Sequence, residues 1–208
     1  MQSLFLPTYF PSISHFVALV QADEIAFEVH DHFQKQTNRN RTYIYSPNGM
    51  QLLNIPIKHS KERHQVARDV KIEWAFDWQK QHFKSLEAAY RTSPFFEYFE
   101  DNLAPVFEQK PTFLLDLNFH ALEIVYRCLG LTLSYTPTEE YFHERTDVLD
   151  CRSLANGKKD SSVFESYPQV FADKHGFISN LSILDLLCNE GRFALDYLKQ
   201  QKHPLVKG

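Results

Sequence analysis

Glycine is scarce in this chain, at six residues in 208. A loop that wraps backbone amides around phosphates needs several glycines close together, so no Gly-rich phosphate loop is expected. No Gly-x-Ser-x-Gly run occurs, which removes the nucleophile elbow of a serine hydrolase. Cysteine is equally sparse. Cys128, Cys151 and Cys188 are odd in number and widely spaced, without the pairing a metal site uses. A reduced, cytoplasmic protein is the simplest expectation. No apolar run approaches the roughly 20 residues of a membrane helix. The N-terminus lacks a basic stretch followed by an apolar one, so no signal peptide and no membrane insertion are expected. Positive charge is not in excess: 22 Lys and Arg stand against 26 Asp and Glu, a net charge of −4. No general basic field exists to hold nucleic acid.

Apolar and aromatic residues are plentiful. Hydrophobic residues make up 43% and aromatics 14%, with 18 Phe and 10 Tyr. That excludes disorder over most of the length. Phe outnumbers Tyr and Trp, which favours a Phe-packed core over stacking surfaces in a cleft. A chain of 24.4 kDa buries roughly 70% of its extended surface on folding, so a core needs no staples.

The chain opens with a short apolar run, Leu4-Phe5-Leu6, which predicts a buried strand. Pro7 and Pro11 bracket an aromatic loop, and Ser12 or Ser14 can cap a helix over Ile13 to Gln21. Glu24 to Val29 predicts a second strand. Two strands around one helix predict a βαβ unit. Ligands of such sheets gather beyond the carboxyl ends of the strands, which puts Thr8–Ser12 and His30–Lys35 on one rim. Thr42 to Tyr45, the turn Ser46-Pro47-Asn48-Gly49 and Met50 to Ile57 predict a hairpin. Lys58 to His64 is a polar, mostly basic loop, and Val70 to Trp74 reads as another short strand. Helices follow over Trp78 to Tyr90, with Asp77 as cap and His82 on its polar side, and over Phe95 to about Phe107, disturbed at Pro105. Ser93-Pro94 would open that second helix. A third is expected over Phe113 to Leu129, stopped by Gly130. Leu131 to Tyr135 reads as a return strand, and 137–176 as irregular. Asn180-Leu181-Ser182 opens a last helix, broken at Gly191. There are no internal repeats and no dividing linker.

Several of these segments resemble the WbqC-like family. Leu6-Pro7-Thr8-Tyr9-Phe10-Pro11 is similar to its opening Gln-Pro-x-Tyr-Phe-Pro, and Ile13 to Phe16 resembles the Tyr-Ile-Gly-Tyr-Phe that follows. Lys35 to Arg41 resembles its Lys-x-Ser-x-x-Asn-Arg run, Leu53-Asn54-Ile55-Pro56-Ile57 its Leu-Thr-Ile-Pro-Val strand, and Leu181 to Gly191 its C-terminal signature. Leu6 departs from the usual Gln, Asn38 from an aromatic, and Asp31 is one acid where the family has two. The resemblance implies a place among surface-polysaccharide genes and a proposed transfer of an amino acid or acyl group to an amino sugar.

The densest chemistry lies in His30 to Arg41. Lys35, Arg39 and Arg41 are three cations in seven residues, able to hold phosphate or carboxylate, with Asn40 as an oriented amide. An exposed edge that uses charge against aggregation would look the same. Asp31 is a candidate general base. His30 and His32 flank it, but loop histidines are a simpler reading than a metal pair, and no metal is assigned. His15, near a helix start, faintly resembles the histidine of class I nucleotidylyltransferases, although a half-buried core histidine is the plainer account. Tyr9 could stack on a sugar or base or pack on the core. Lys58 and His59 could face the same cleft. Cys128 and Cys188 read as core residues, while Cys151 beside Arg152 leaves room for a lowered pKa.

The expectation is a single α/β domain: an N-terminal mixed sheet with a βαβ unit in 1–75, and a mainly helical half in 76–208. Asp31 and His15 are the catalytic candidates. Tyr9, Lys35, Asn40, Arg39, Arg41, Lys58 and His59 are the substrate-binding candidates. Three functions remain open. One is a transferase that acylates or aminoacylates an amino sugar or nucleotide sugar bearing phosphate. The second is a nucleotide-dependent activating enzyme with a nucleotidylyltransferase-like site. The third is a non-catalytic binding protein of a polysaccharide assembly. No cofactor is assigned.

Overall fold

A computed structural model describes residues 1–60, 64–158, 160, 162–203 and 205. Strand β1 (Gln2–Phe5) leads through the proline-bracketed loop into α1 (Ile13–Val20) and then β2 (Glu24–Phe27). β1 and β2 pair in parallel, Gln2 against Glu24 through Phe5 against Phe27, so the expected βαβ unit is present. Ser12 caps α1 by accepting the His15 amide at 3.4 Å. Two dipeptide strands from far down the chain complete the sheet. β5 (Thr136–Pro137) joins β2, and β6 (Leu149–Asp150) joins the free edge of β1, both in parallel. The order is β5-β2-β1-β6. Parallel sheets are buried on both faces, and here Phe5 and Phe27 face the main core while Leu4 and Ala26 meet Val148 on the other side.

β3 (Arg41–Ser46) and β4 (Gly49–Asn54) form the expected hairpin, in antiparallel register and as a sheet of their own. Gly49 takes φ +95°, the left-handed value that its turn position demands. Val70 to Trp74 does not form a strand. Ile72 instead makes a lone bridge to Ile57, and Lys71 another to Phe113. The segment has no continuous edge to pair with, so its apolar residues pack without a ladder.

The second half is mainly helical: α2 (Trp78–Tyr90), α3 (Phe96–Glu108), α4 (Leu114–Cys128), the one-turn α5 (Ala172–His175), α6 (Ile183–Glu190) and α7 (Ala194–Gln200). α3 runs through Pro105 to Glu108. Two expected caps are replaced. The Asp77 side chain makes no capping bond, and the Ser93 hydroxyl donates back to the Tyr90 carbonyl at 2.7 Å. The return strand lies at Thr136–Pro137 rather than over 131–135, because only two residues reach β2. One buried cluster runs from Phe5 in β1 to Leu198 in α7. No helix among the described residues is long and apolar enough to cross a membrane.

Candidate functional site

The carboxyl ends of β1 and β2 open onto the two loops expected there, and the loops are tied together. The Tyr9 amide donates to the Asn38 carbonyl at 3.0 Å. Asn118 on α4 donates to the Arg39 carbonyl at 2.8 Å and to the Pro7 carbonyl at 3.3 Å. Phe10 sits in the left-handed region at φ 41°. A bulky residue holds that conformation only where its surroundings enforce it. Here the Phe10 carbonyl accepts from Thr42 Oγ1 at 2.9 Å and Ser182 Oγ at 3.1 Å.

The residues 33–41 form a wall between pockets. On one side Lys35, Asn40, Arg41, Lys58 and His59 line a pocket of about 380 Å³. Five residues from three stretches of sequence thus converge on one concavity. No Asp or Glu stands among its described lining residues. The Lys35, Arg41 and Lys58 side chains make no ion pair within the described residues. Arg41 Nε donates to Asn54 Oδ1 at 3.2 Å, and Asn40 Nδ2 donates to the Ile55 carbonyl at 2.9 Å, which orients both side chains. Unpaired cations around a concave surface favour an anion. A unit charge at about 4 Å is worth on the order of 4 kcal/mol near a protein surface. Lys61 and Arg63 of the same basic loop lie outside the described residues.

Across the wall, a second pocket of about 400 Å³ lies over the carboxyl ends of β1 and β6. Asp31 and Arg39 line it, both buried and joined as an ion pair. Arg39 also donates to the His32 carbonyl at 3.4 Å and lies over the Phe33 ring. Burial raises the Asp31 carboxyl, and Arg39 offsets only part of that rise. Asp150 and Arg152 form a second pair in the same pocket. Arg152 also donates to the carbonyls of Phe142 at 2.8 Å and His143 at 2.9 Å, holding Tyr141 at the pocket wall. Glu28 is buried at the rim, where its Oε1 accepts the His30 amide at 2.7 Å and the Thr138 hydroxyl at 2.9 Å.

Two expected site residues lie in the core. Tyr9 is fully buried, with its hydroxyl donating to His82 Nδ1 at 3.1 Å. His82 therefore faces inward, not toward the polar side of its helix. Its ring also donates to the Asn54 backbone, and burial lowers its pKa to about 4. His15 is buried against Phe5, its rings 5.5 Å apart. Its Nδ1 is 3.4 Å from Thr8 Oγ1, its Nε2 has no partner among the described residues, and desolvation lowers its pKa to about 3. Neither ring lines either of the two pockets described above, and both pack in the core, where burial accounts for them without ligand stacking by Tyr9 or proton transfer by His15. The Cys151 thiol is buried and pushed up to about 12, so the lowered value that Arg152 left room for does not arise.

Tyr141, Asp150 and Arg152 escaped sequence reasoning, because 137–176 has no periodicity. Their one available signal is the acid-x-Arg spacing of Asp150 and Arg152. Among the described residues no three His, Cys, Asp or Glu side chains gather as a metal site, and His30 and His32 do not share one.

The uncharacterized protein Rv1507c of Mycobacterium tuberculosis (strain ATCC 25618 / H37Rv) is 28% identical over 225 residues, covering 92% of this chain and 94% of that one. No solved structure matches the chain. The model of the WbqC-like protein family matches residues 7–160, a span that contains the proline loop, both pockets' principal side chains and the hairpin. The chain belongs to the WbqC-like protein family.

Proposed function

We propose that the chain is a transferase of surface-polysaccharide biosynthesis, acylating or aminoacylating an amino sugar or nucleotide sugar that carries phosphate. The family to which the chain belongs supports the polysaccharide setting. The observation that supports the phosphate is the cationic pocket lined by Lys35, Asn40, Arg41, Lys58 and His59, with no described acid. Arg41 supplies a planar fork to phosphate oxygens, and the two lysines act as point charges. Proton handling falls to Asp31, which lines the adjoining pocket and whose carboxyl pKa is raised by burial. Localisation in the cytoplasm follows from such a substrate.

A second reading, a binding protein without catalysis, draws on one observation. Asp31 and the unpaired cations line different pockets, and Asp31 is engaged by Arg39. The nucleotidylyltransferase-like reading loses its support with His15 buried. A thermal-shift screen with nucleotide sugars, nucleotides and acyl-CoA separates these, because a ligand bound only by the folded state raises the melting temperature. A nucleotide sugar together with an acyl donor should each stabilise the protein, and their incubation should yield a modified sugar. Stabilisation by the sugar with no product selects the binding reading. No shift with any phosphate-bearing sugar overturns both.

A further inference from the structure

We infer that the pocket over the ends of β1 and β6 is a second ligand site, which takes an uncharged, hydroxyl-rich ring such as a hexose or N-acetylhexosamine. The inference goes beyond the reading above: the pocket is separate from the cationic one, and the sugar site stands whether or not the phosphate site does.

The chemistry of the lining decides the ligand class. At about 400 Å³ the pocket has the size of a small-molecule site. It lies where ligands of parallel sheets bind, across β1 and β6, whose connections diverge. Its charges cancel at close range, since Asp31 is paired with Arg39 and Asp150 with Arg152. An anion placed here would meet a carboxylate beside each guanidinium, in contrast to the cationic pocket across the wall. What remains unpaired is neutral and polar. Gln34, Ser153 and Asn156 offer amide and hydroxyl groups, and amides can both donate and accept toward hydroxyls. Tyr141 lines the same pocket with 38% of its surface exposed. An amphipathic aromatic face beside amides matches a sugar ring, which is apolar on its C–H faces and polar around its edge. The Arg152 guanidinium lies over one side of that ring, 5.7 Å from its centroid, and donates to the Phe142 and His143 carbonyls, so a sugar would meet the ring on its other side.

The two pockets make separate predictions. Titration calorimetry with glucose, galactose and N-acetylglucosamine should detect millimolar binding to the wild-type chain. Tyr141→Ala and Asn156→Ala should each weaken it by about tenfold, the scale of one aromatic or hydrogen-bond contact. Both positions are at or near the surface, so the fold should survive, as circular dichroism would record. Lys58→Ala, in the other pocket, should leave sugar binding unchanged. No heat with any uncharged sugar, or binding that Tyr141→Ala and Asn156→Ala leave untouched, overturns the inference. Loss of sugar binding in Lys58→Ala would place the sugar in the cationic pocket and overturn it as well. Failure of pyrophosphate to bind would strike the proposed phosphate site and leave this one standing.

Discussion

Arg39 grips Asp31 with both terminal nitrogens of its guanidinium, and both residues are buried, at 4% and 5% exposure. The pair fixes the wall that separates the cationic pocket from the neutral one. A buried pair adds little net stability, because desolvation consumes most of its attraction, yet removing one partner strands a charge. Asp31→Ala should therefore cost about 3 to 5 kcal/mol. The double change Asp31→Leu, Arg39→Met should recover most of it. Urea denaturation of the three variants measures this, and a double variant no better than the single one would refute the desolvation account.

Acid should destabilise the fold through two histidines. His15 and His82 are neutral in the folded chain, with pKa values lowered to about 3 and about 4, against 6.5 for the ordinary imidazole. Above 6.5 neither form is protonated and the pair contributes no pH dependence. As pH falls below 6.5 the unfolded chain takes up protons first, so stability drops. The drop from His82 ends near pH 4 and that from His15 near pH 3. Melting curves across this range should show it, and His82→Gln should flatten the upper part of the slope.

Asp185 has the opposite sign. It is fully buried on α6, accepting from Tyr167 Oη at 2.5 Å and Gln169 Nε2 at 2.8 Å, and makes no ion pair with a described residue. Desolvation raises its pKa. Its contribution is therefore complete below the ordinary carboxyl value and is lost as pH rises through the folded one. Asp185→Asn should gain on the wild type as pH moves from acid to neutral. Parallel melting curves of the two proteins would disprove a charged cost at this site.

Two glycines with left-handed backbones should differ in tolerance. Gly130 has φ +72° and open space around a built Cβ, whereas Gly191 has φ +55° and a Cβ that would come within 2.5 Å of the Phe95 ring. Gly130→Ala should cost about 1 to 2 kcal/mol from backbone strain alone. At Gly191 the overlap with Phe95 adds a further 1 to 3 kcal/mol, roughly. Equal denaturation midpoints would contradict this.

These contrasts follow how far each feature could be read from sequence. The hairpin, α2 and α4 are encoded locally, by a Pro-Asn-Gly turn and by apolar spacing, and they formed where expected. β6 is two residues long and owes its existence to the free edge of β1, 146 positions away by the pairing of Leu4 with Asp150, so no local pattern announces it. The second pocket shares that obscurity, because Tyr141, Asp150 and Arg152 belong to it. The cationic pocket was legible as a charge cluster, yet its reach to Lys58 and His59 depends on the Arg41–Asn54 register of the hairpin. Tyr9 misled because a proline-stiffened aromatic suits a ligand or a core equally well. The nearby His82, which accepts its hydroxyl, could not be matched to it across 73 residues.

The central claim is that Lys35, Arg41 and Lys58 form an anion site. Titration calorimetry with inorganic pyrophosphate tests it most directly. The wild-type chain should bind, and Lys58→Ala and Arg41→Ala should each weaken binding by roughly 10- to 100-fold, the loss of one charge-assisted contact. Lys84→Ala, on α2 outside the pocket, should bind as the wild type does. Equal pyrophosphate affinity in all four proteins, or no binding in any, would contradict the account.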